Sequence, residues 1–291
     1  MNQRTSFFLK DLQIRIKKSV PVRSVIHSME RRGRIMIISV WGTERRMEEA
    51  RHLLRQRHCC IPISELSDFD LSKIDVILLP THGIQGSKGN YMNKKLLPLP
   101  DDFWECLRDD CLIICGQANA FLNSRPQPKK YYLSDERYLA VNSRLTAQGT
   151  LYFVLDQADR ILTEMTVDIM GKGHCGIEIG ELLRGLGMNV RYIRHAQANK
   201  SKNEYTLQDY KQMTPGDFVI ICTPVPVLDE DIVKSWNRPV RIIDISGVHK
   251  DDERLRSHPF TYIRAGNLPE QFCWKTSGKA IYEFAERVMK E

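Results

Sequence analysis

The chain has 291 residues, 42% hydrophobic and 27% charged, a mix that excludes a mostly disordered, collagen-like or small disulfide-scaffold protein. Its longest apolar runs, residues 76–80 and 112–115, fall far short of the roughly 18–20 residues a membrane span needs. Of 43 Lys/Arg and 36 Asp/Glu, nine and two lie within residues 1–34, so the whole net charge of +7 sits in that head and the remainder balances at 34 of each. A neutral body argues against a nucleic-acid partner, which would want a basic face.

Eight cysteines, at 59, 60, 106, 111, 115, 175, 222 and 273, include no CxxC pair and no zinc-ligand spacing with histidine. Reduced thiols and no metal site are therefore expected. The N-terminus lacks the apolar core and small-residue cleavage site of a secretory signal, so a cytoplasmic location is expected.

Along the chain, residues 1–28 are basic with scattered apolar residues and no helical stripe. This head, counted to residue 34, reads as a flexible solvated segment, as a contact for an anionic surface, or as an extension upstream of a start at Met29. From Ile35 strand and helix alternate. Strands are expected at residues 35–40, 60–63, 76–79 and 112–115, with helices at 44–56 and 101–107. Two short strands follow at 131–133 and 138–141. This βαβ rhythm implies a parallel sheet with helices on its faces. Residues 146–162 read as a long helix, roughly 24 Å at 1.5 Å per residue. A second alternating set places strands at 166–170, 190–193, 218–222, 241–245 and 261–264, and helices at 176–186, 207–213 and 229–236. A final helix is expected over 276–290, with Ile281, Phe284, Ala285 and Val288 on one face.

The most informative segment is Gly171-Lys172-Gly173-His174-Cys175-Gly176, a GxGxxG pattern between an apolar strand and an amphipathic helix. Gly171 permits a tight turn out of the strand. Gly173 lets backbone approach a pyrophosphate, and Gly176 lets the helix pack close to the strand. With His174 and Cys175, these residues would present a helix N-terminus to phosphate. NAD sites usually carry Asp or Glu at the end of the second strand. Here that strand runs into Arg194 and His195, and no acid follows before Glu204. Arginine suits a 2′-phosphate, so NADP is expected over NAD. Thr223 and Pro224, after the next strand, should line the same groove. Asp244-Ile245-Ser246-Gly247 and Ala265-Gly266-Asn267 end the two strands beyond it.

Taken together, these segments resemble the family formed by the dehydrogenase-like component of dipicolinate synthase, found in spore-forming bacteria, from about Ile35 to the C-terminus. Gly42-Thr43-Glu44-Arg45 resembles the family's glycine-to-arginine turn, and Leu79-Pro80 with Gly86 and Gly89 its Leu-Pro loop. Gln117-Ala118-Asn119-Ala120-Phe121-Leu122 is similar to its Ser-Asn-Ala-Tyr-Leu segment. Asn142 to Thr150 is similar to its Asn-Ser helix start, and Leu268-Pro269 with Lys275-Thr276-Ser277-Gly278 to its C-terminal motifs. There are departures. Gln148 stands in place of a glutamate, Glu270 in place of a glycine, and Cys273-Trp274 in place of Ala-Pro. Val248-His249-Lys250 interrupts a glycine-rich loop.

The resemblance implies an α/β protein of two domains: a flavodoxin-like N-terminal substrate domain (35–145 plus the C-terminal helix 276–291) and a Rossmann NAD(P)-binding domain (146–275), with a cleft between them. It further implies NADP-dependent oxidation of a cyclic dihydro- or hydroxytetrahydro-dipicolinate to dipicolinate, a spore component. The partners would be the small dicarboxylate substrate, further copies of the chain in a homo-oligomer, and a second subunit resembling a flavoprotein. Asn119, Thr146 and Lys275, with Arg45, are the candidate catalytic residues of the substrate cleft, Thr146 serving equally as a helix N-cap. His82 is a tempting general base but matches no histidine of the family pattern. The rival readings are a catalytically silent NADP-binding subunit or sensor, which Gln148 keeps open, and a related amino- or hydroxy-acid dehydrogenase. The exact substrate and the oligomeric state are not fixed by the residues.

Overall fold

In the computed structural model the described residues are 34–195, 199, 202–257 and 259–291. The chain divides into two units. The first comprises the residues up to Leu139 together with Trp274–Glu291, and the second Ala140–Cys273. Of the basic head, residues 1–33 lie outside the described residues. Arg34 pairs with Asp75 at 3.1 Å.

The first unit is built on five parallel strands: β1 (Ile37–Val40), β2 (Cys59–Ile61), β3 (Val76–Leu78), β6 (Leu112–Cys115) and β7 (Lys129–Tyr131), in the order β2-β1-β3-β6-β7. Counted within the unit this is 2-1-3-4-5, the flavodoxin-like order. A two-stranded hairpin, β4 (Tyr91–Met92) and β5 (Lys95–Leu96), turns through Asn93 and Lys94, both at positive φ. Helix α1 (Arg45–Leu54) follows β1, and the short α2 (Ala120–Asn123) follows β6. The core gathers Trp41, Phe103, Trp104 and the β-branched residues of the central strands. Trp41 lies 5.5 Å from Phe103 and 5.8 Å from Trp104, ring centre to centre.

That cluster explains why residues 101–107 are successive turns and not the expected helix. Neighbouring Phe103 and Trp104 are both buried, whereas adjacent residues of a helix point about 100° apart. The expected strand at 138–141 is also corrected. Those residues belong to α3 (Glu136–Gln157), so the helix starts ten residues before Thr146. Asp135 accepts the Tyr138 N–H at 2.9 Å and supplies the N-terminal cap. The chain's last helix, α8 (Trp274–Val288), buries Ile281, Phe284, Ala285 and Val288. His58 and Glu286 join it to the start of β2 through a 2.6 Å hydrogen bond.

The second unit is a six-stranded parallel sheet of β8 (Thr166–Met170), β9 (Asn189–Arg194), β10 (Glu204–Thr206), β11 (Phe218–Ile221), β12 (Val240–Asp244) and β13 (Phe260–Arg264). Its order is β10-β9-β8-β11-β12-β13, which counted within the unit is 3-2-1-4-5-6, the doubly wound Rossmann order. Helix α4 (His174–Gly185) joins β8 to β9, α5 (Leu207–Tyr210) precedes β11, α6 (Glu230–Ser235) precedes β12, and α7 (Leu268–Phe272) follows β13. The strands are apolar on both sides because helices cover both faces: Val167, Ile169, Phe218, Ile220 and Ile243 pack into one cluster, Met170, Val219, Ile221 and Ile242 into the other.

Both units share one device at the amino ends of their strands. Asp75 accepts the Ile37 N–H at 2.8 Å, and Asp217 accepts the Thr166 N–H at 2.8 Å. In each case a carboxylate ties the start of the unit's first strand to a neighbouring strand, and arginines neutralise it: Arg34 and Arg108 on Asp75, Arg160 and Arg238 on Asp217.

Candidate functional site

The order of the second sheet reverses between β8 and β11, and in open α/β sheets ligands bind outside the carboxyl ends of the strands at that point. Here β8 runs into Gly171, whose φ of +103° calls for glycine. A Cβ on Gly171 would lie 3.0 Å from Thr223 Cγ2, which places Thr223 directly beside the turn. A Cβ on Gly176 would lie 2.2 Å from the Gly171 carbonyl oxygen, and one on Gly180 2.1 Å from the Tyr192 hydroxyl. These two glycines therefore set how closely α4 approaches the turn and β9.

Gly173 differs. It caps α4 in an extended conformation, with φ −90° and ψ −169°, and no side chain satisfies the first-turn N–H groups. A Cβ there would meet nothing within 4 Å. The backbone does not need glycine at this position and no packing neighbour does, so what glycine provides is open space at a helix N-terminus, the place a phosphate takes. His174 and Cys175 open the helix behind it. Burial of the Cys175 thiol raises its pKa, so it is held as a neutral thiol.

At the end of β9 the structure corrects one expectation. Arg194 is not a lone cation. β10, which had no counterpart among the expected strands, pairs alongside β9 and brings up Glu204. Glu204 Oε2 accepts from Arg194 Nη1 at 3.1 Å and from the Asn199 N–H at 3.3 Å, and Oε1 accepts from Lys172 Nζ at 2.6 Å. The Lys172 and Arg194 bonds hold the Glu204 carboxyl below its ordinary range. Lys172 also stands over the Tyr192 ring, 5.1 Å from its centre. His195 follows, exposed to solvent. Lys172 lay in plain view between the motif's glycines. Glu204 had no local signal, since its role depends on β10 joining the sheet.

Thr223 donates to the Val225 carbonyl at 2.9 Å, which folds the Thr223-Pro224 segment into a turn after β11. The next strand ends on Asp244, fully buried, whose carboxylate accepts from Ser246 Oγ, the Gly247 and His249 N–H groups and Tyr262 Oη at 2.7–3.0 Å. His249 Nε2 in turn accepts the Val227 and Leu228 N–H groups at 3.1 and 3.3 Å. The loops after β11 and β12 are thus tied together. Burial opposes ionisation of Asp244, but the bonds from His249, Tyr262, Ser246 and Gly247 outweigh it and hold the carboxyl below its ordinary range. A depressed folded-state pKa contributes stability that is full above the unfolded value, about 3.9, and is lost as pH falls through the folded value. The stability gap between wild type and Asp244→Asn is therefore expected to be widest above about pH 3.9 and to close below it. Urea unfolding at a series of pH values measures this, and a gap that widens on acidification would contradict it.

Other sequence candidates fall as follows. In the first unit Asn119 caps α2, its Oδ1 accepting the Leu122 N–H at 2.8 Å and its Nδ2 donating to the Ile84 carbonyl at 3.0 Å. Arg45 and Lys275 converge on one aromatic ring, that of the half-buried Trp274, at 5.6 and 5.4 Å from its centre. His82 is exposed. Thr146, in the second unit, is an interior residue of α3 and not its N-cap; its hydroxyl donates to the Asn142 carbonyl at 2.8 Å. Gln148 accepts from Cys273 Sγ at 3.1 Å. All eight cysteines are free, and burial pushes the Cys60, Cys111 and Cys115 thiols up to about 12. No group of three or more His, Cys, Asp or Glu among the described residues is placed to hold a metal ion. No helix among them is long and apolar enough to cross a membrane.

The 3-2-1-4-5-6 sheet with a glycine turn at its switch point defines a Rossmann-type α/β protein. Among solved structures, the fold is similar to the dehydrogenase-like component of dipicolinate synthase from Bacillus halodurans, with a TM-score of 0.75 and 17% identity over 88% of this chain and 98% of that one. It is likewise similar to the corresponding dipicolinate synthase chain from Bacillus subtilis, with a TM-score of 0.74 and 19% identity over 88% and 96%. A more distant likeness, with a TM-score of 0.51 and 12% identity over 88% and 94%, is to a D-isomer-specific 2-hydroxyacid dehydrogenase from Xanthobacter autotrophicus Py2 in complex with NADPH and MES. At these identities the likeness is one of fold. No family model matches the sequence, and no curated protein does.

Proposed function

We propose that the protein is an NAD(P)-dependent oxidoreductase that oxidises a cyclic dihydro- or hydroxytetrahydro-dipicolinate to dipicolinate, with NADP as the preferred cofactor. The observation that carries the reading is Gly173: an extended residue at the N-terminus of α4 whose Cβ position faces empty space. The fold likeness to two dipicolinate synthase structures supports the substrate class.

In this reading the turn from Gly171 to Gly176, with His174 and Cys175, holds the pyrophosphate, while Thr223 and Pro224 line the groove beside it. Arg194 and His195 lie toward the adenosine end. A bound nicotinamide supplies the hydride acceptor. Loss of a hydride and a proton, with water if the substrate is hydroxylated, leaves an aromatic ring. What remains for the protein is to position that ring and neutralise two carboxylates. Arg45 and Lys275 provide the positive charge, and Asn119 and Thr146 provide polar positions whose hydrogen bonds hold α2 and α3 in place. The same reading brings a homo-oligomeric state, a cytoplasmic location and a second subunit resembling a flavoprotein.

Fluorescence titration with NADPH and NADH tests cofactor binding. Single-turnover oxidation with NADP+ then separates an enzyme from a silent binding subunit, the reading favoured by the Cys273–Gln148 bond at a position where the resemblance implies glutamate. Binding without turnover would select the silent subunit, and no binding of either dinucleotide would overturn both.

NADP preference rests on a net positive charge at the end of β9, where Lys172 and Arg194 face the single carboxylate of Glu204. A charge-assisted bond contributes about 1.5–3 kcal/mol, which is roughly 10- to 100-fold in affinity. Arg194→Asp should therefore narrow or reverse the preference, and salt should weaken it in the wild type, because the Arg194 side chain is 41% exposed and screened. Equal NADPH and NADH dissociation constants in the wild type would remove the basis for naming NADP.

A further inference from the structure

Resting on the dinucleotide reading above, we infer that Glu204 is the residue that sets cofactor choice, acting as a built-in counter-ion that a 2′-phosphate must replace. Three observations converge. The Glu204 carboxylate is almost wholly buried, with 5% of its side chain exposed. Its partners come from two different strand ends: Lys172 from the glycine turn after β8, and Arg194 from the last position of β9. Lys172 is further held over the Tyr192 ring, so both cations are aimed at one point beside the phosphate turn.

A buried carboxylate that joins two cations from separate elements does more than pin β10. The hydrogen bonds of β10 to β9 already do that, from Glu204 opposite Tyr192 to Thr206 opposite Arg194. What the carboxylate adds is control of charge. With Glu204 ionised, the cluster carries two positive charges and one negative. A ribose 2′-hydroxyl arriving there finds an acceptor in Glu204, the role a strand-end acid plays in NAD sites. A 2′-phosphate instead finds two cations, one planar and one a point charge, but must draw them away from Glu204. The acid that other Rossmann sheets carry on the second strand is here supplied by the third. The site is thereby balanced between the two cofactors, and neither cation acts free of its counter-ion.

The test is the ratio of NADH to NADPH dissociation constants in the wild type, Glu204→Gln and Lys172→Met, by fluorescence titration at fixed ionic strength. Glu204→Gln keeps the shape and an acceptor for the Asn199 N–H while removing the charge. It is expected to raise the preference for NADPH about tenfold, the worth of one charge-assisted interaction, and to weaken NADH. Lys172→Met, at a partly exposed position, should lower the preference by a similar factor. An unchanged ratio in both variants, with dinucleotide still bound, would overturn the inference and reduce Glu204 to a structural ion pair while leaving the dinucleotide reading intact. Failure of the wild type to bind either dinucleotide would instead remove that reading, and the selector with it. Should Glu204→Gln not fold, the ratio in Lys172→Met decides alone.

Discussion

Gly173→Val is expected to abolish dinucleotide binding and leave the fold standing. At φ −90° and ψ −169° the position is one that any L-residue adopts, and an added Cβ meets no atom within 4 Å. The stability cost is then the poorer N-cap alone, about 1 kcal/mol. The added methyls, however, occupy the space in front of the first-turn N–H groups of α4. If two N–H bonds to a pyrophosphate are lost, each of about 1.5–3 kcal/mol for a charged acceptor, affinity should fall about 100-fold or more. Gly176→Ala is the contrasting control. Its Cβ would lie 2.2 Å from the Gly171 carbonyl oxygen, so it should disturb the turn itself and lower stability along with binding. Titration of both variants with NADPH, beside thermal unfolding, separates the two roles. A Gly173→Val protein that binds within about threefold of wild type would show that no phosphate lies there, and the Rossmann site would lose its ligand.

That prediction uses a motif that was fully legible in sequence, and the reason is that each of its elements is local. A β-branched strand, glycines at fixed offsets and an amphipathic helix occupy twenty consecutive residues. The same holds for the other central strands, whose apolar runs at 76–79, 112–115 and 218–222 match buried β3, β6 and β11 within a residue. What escaped depended on partners distant in the chain. β10 has three residues, Glu204, Tyr205 and Thr206, with no apolar run, and becomes a strand because β9 offers its edge. Residues 138–141 look like a strand when read alone. They are helical because Asp135 caps a helix long enough to carry them. The hairpin of β4 and β5 turns on Asn93 and Lys94 rather than on glycine, so it carried no punctuation. Within the candidate site, the phosphate turn could be read off directly, whereas the charge balance at the end of β9 appeared only when the third strand was in place.

The largest effect on stability is expected at a residue the motif contains but the cofactor does not need. Asp168 sits in the middle of β8 and is fully buried. Arg191, its neighbour on β9, donates to it through Nε at 2.6 Å and Nη2 at 2.8 Å, the Tyr210 hydroxyl donates at 2.7 Å, and the Gly216 N–H donates at 2.6 Å. One carboxylate therefore joins β8, β9, α5 and the approach to β11. Burial, with Asp168 as the nearest charge, raises the Tyr210 pKa well above its ordinary value and keeps the phenol a donor. Asp168→Ala removes the acceptor of four bonds at once. Arg191, with 16% of its side chain exposed, keeps only the Thr214 carbonyl at 3.0 Å, and the Tyr210 and Gly216 donors are left buried without their carboxylate. Breaking a buried ion pair from one side costs about 3–5 kcal/mol, because the surviving charge is left uncompensated. Replacing both partners is much milder, so Asp168→Leu with Arg191→Met should recover part of the loss, which a double-mutant cycle resolves. Urea unfolding measures the change, and hydrogen exchange at the β8 and β9 amides localises it to the second unit. A loss under about 1 kcal/mol would mean that water or a local shift satisfies Arg191 as well as Asp168 does, and that the network is not what joins these four elements.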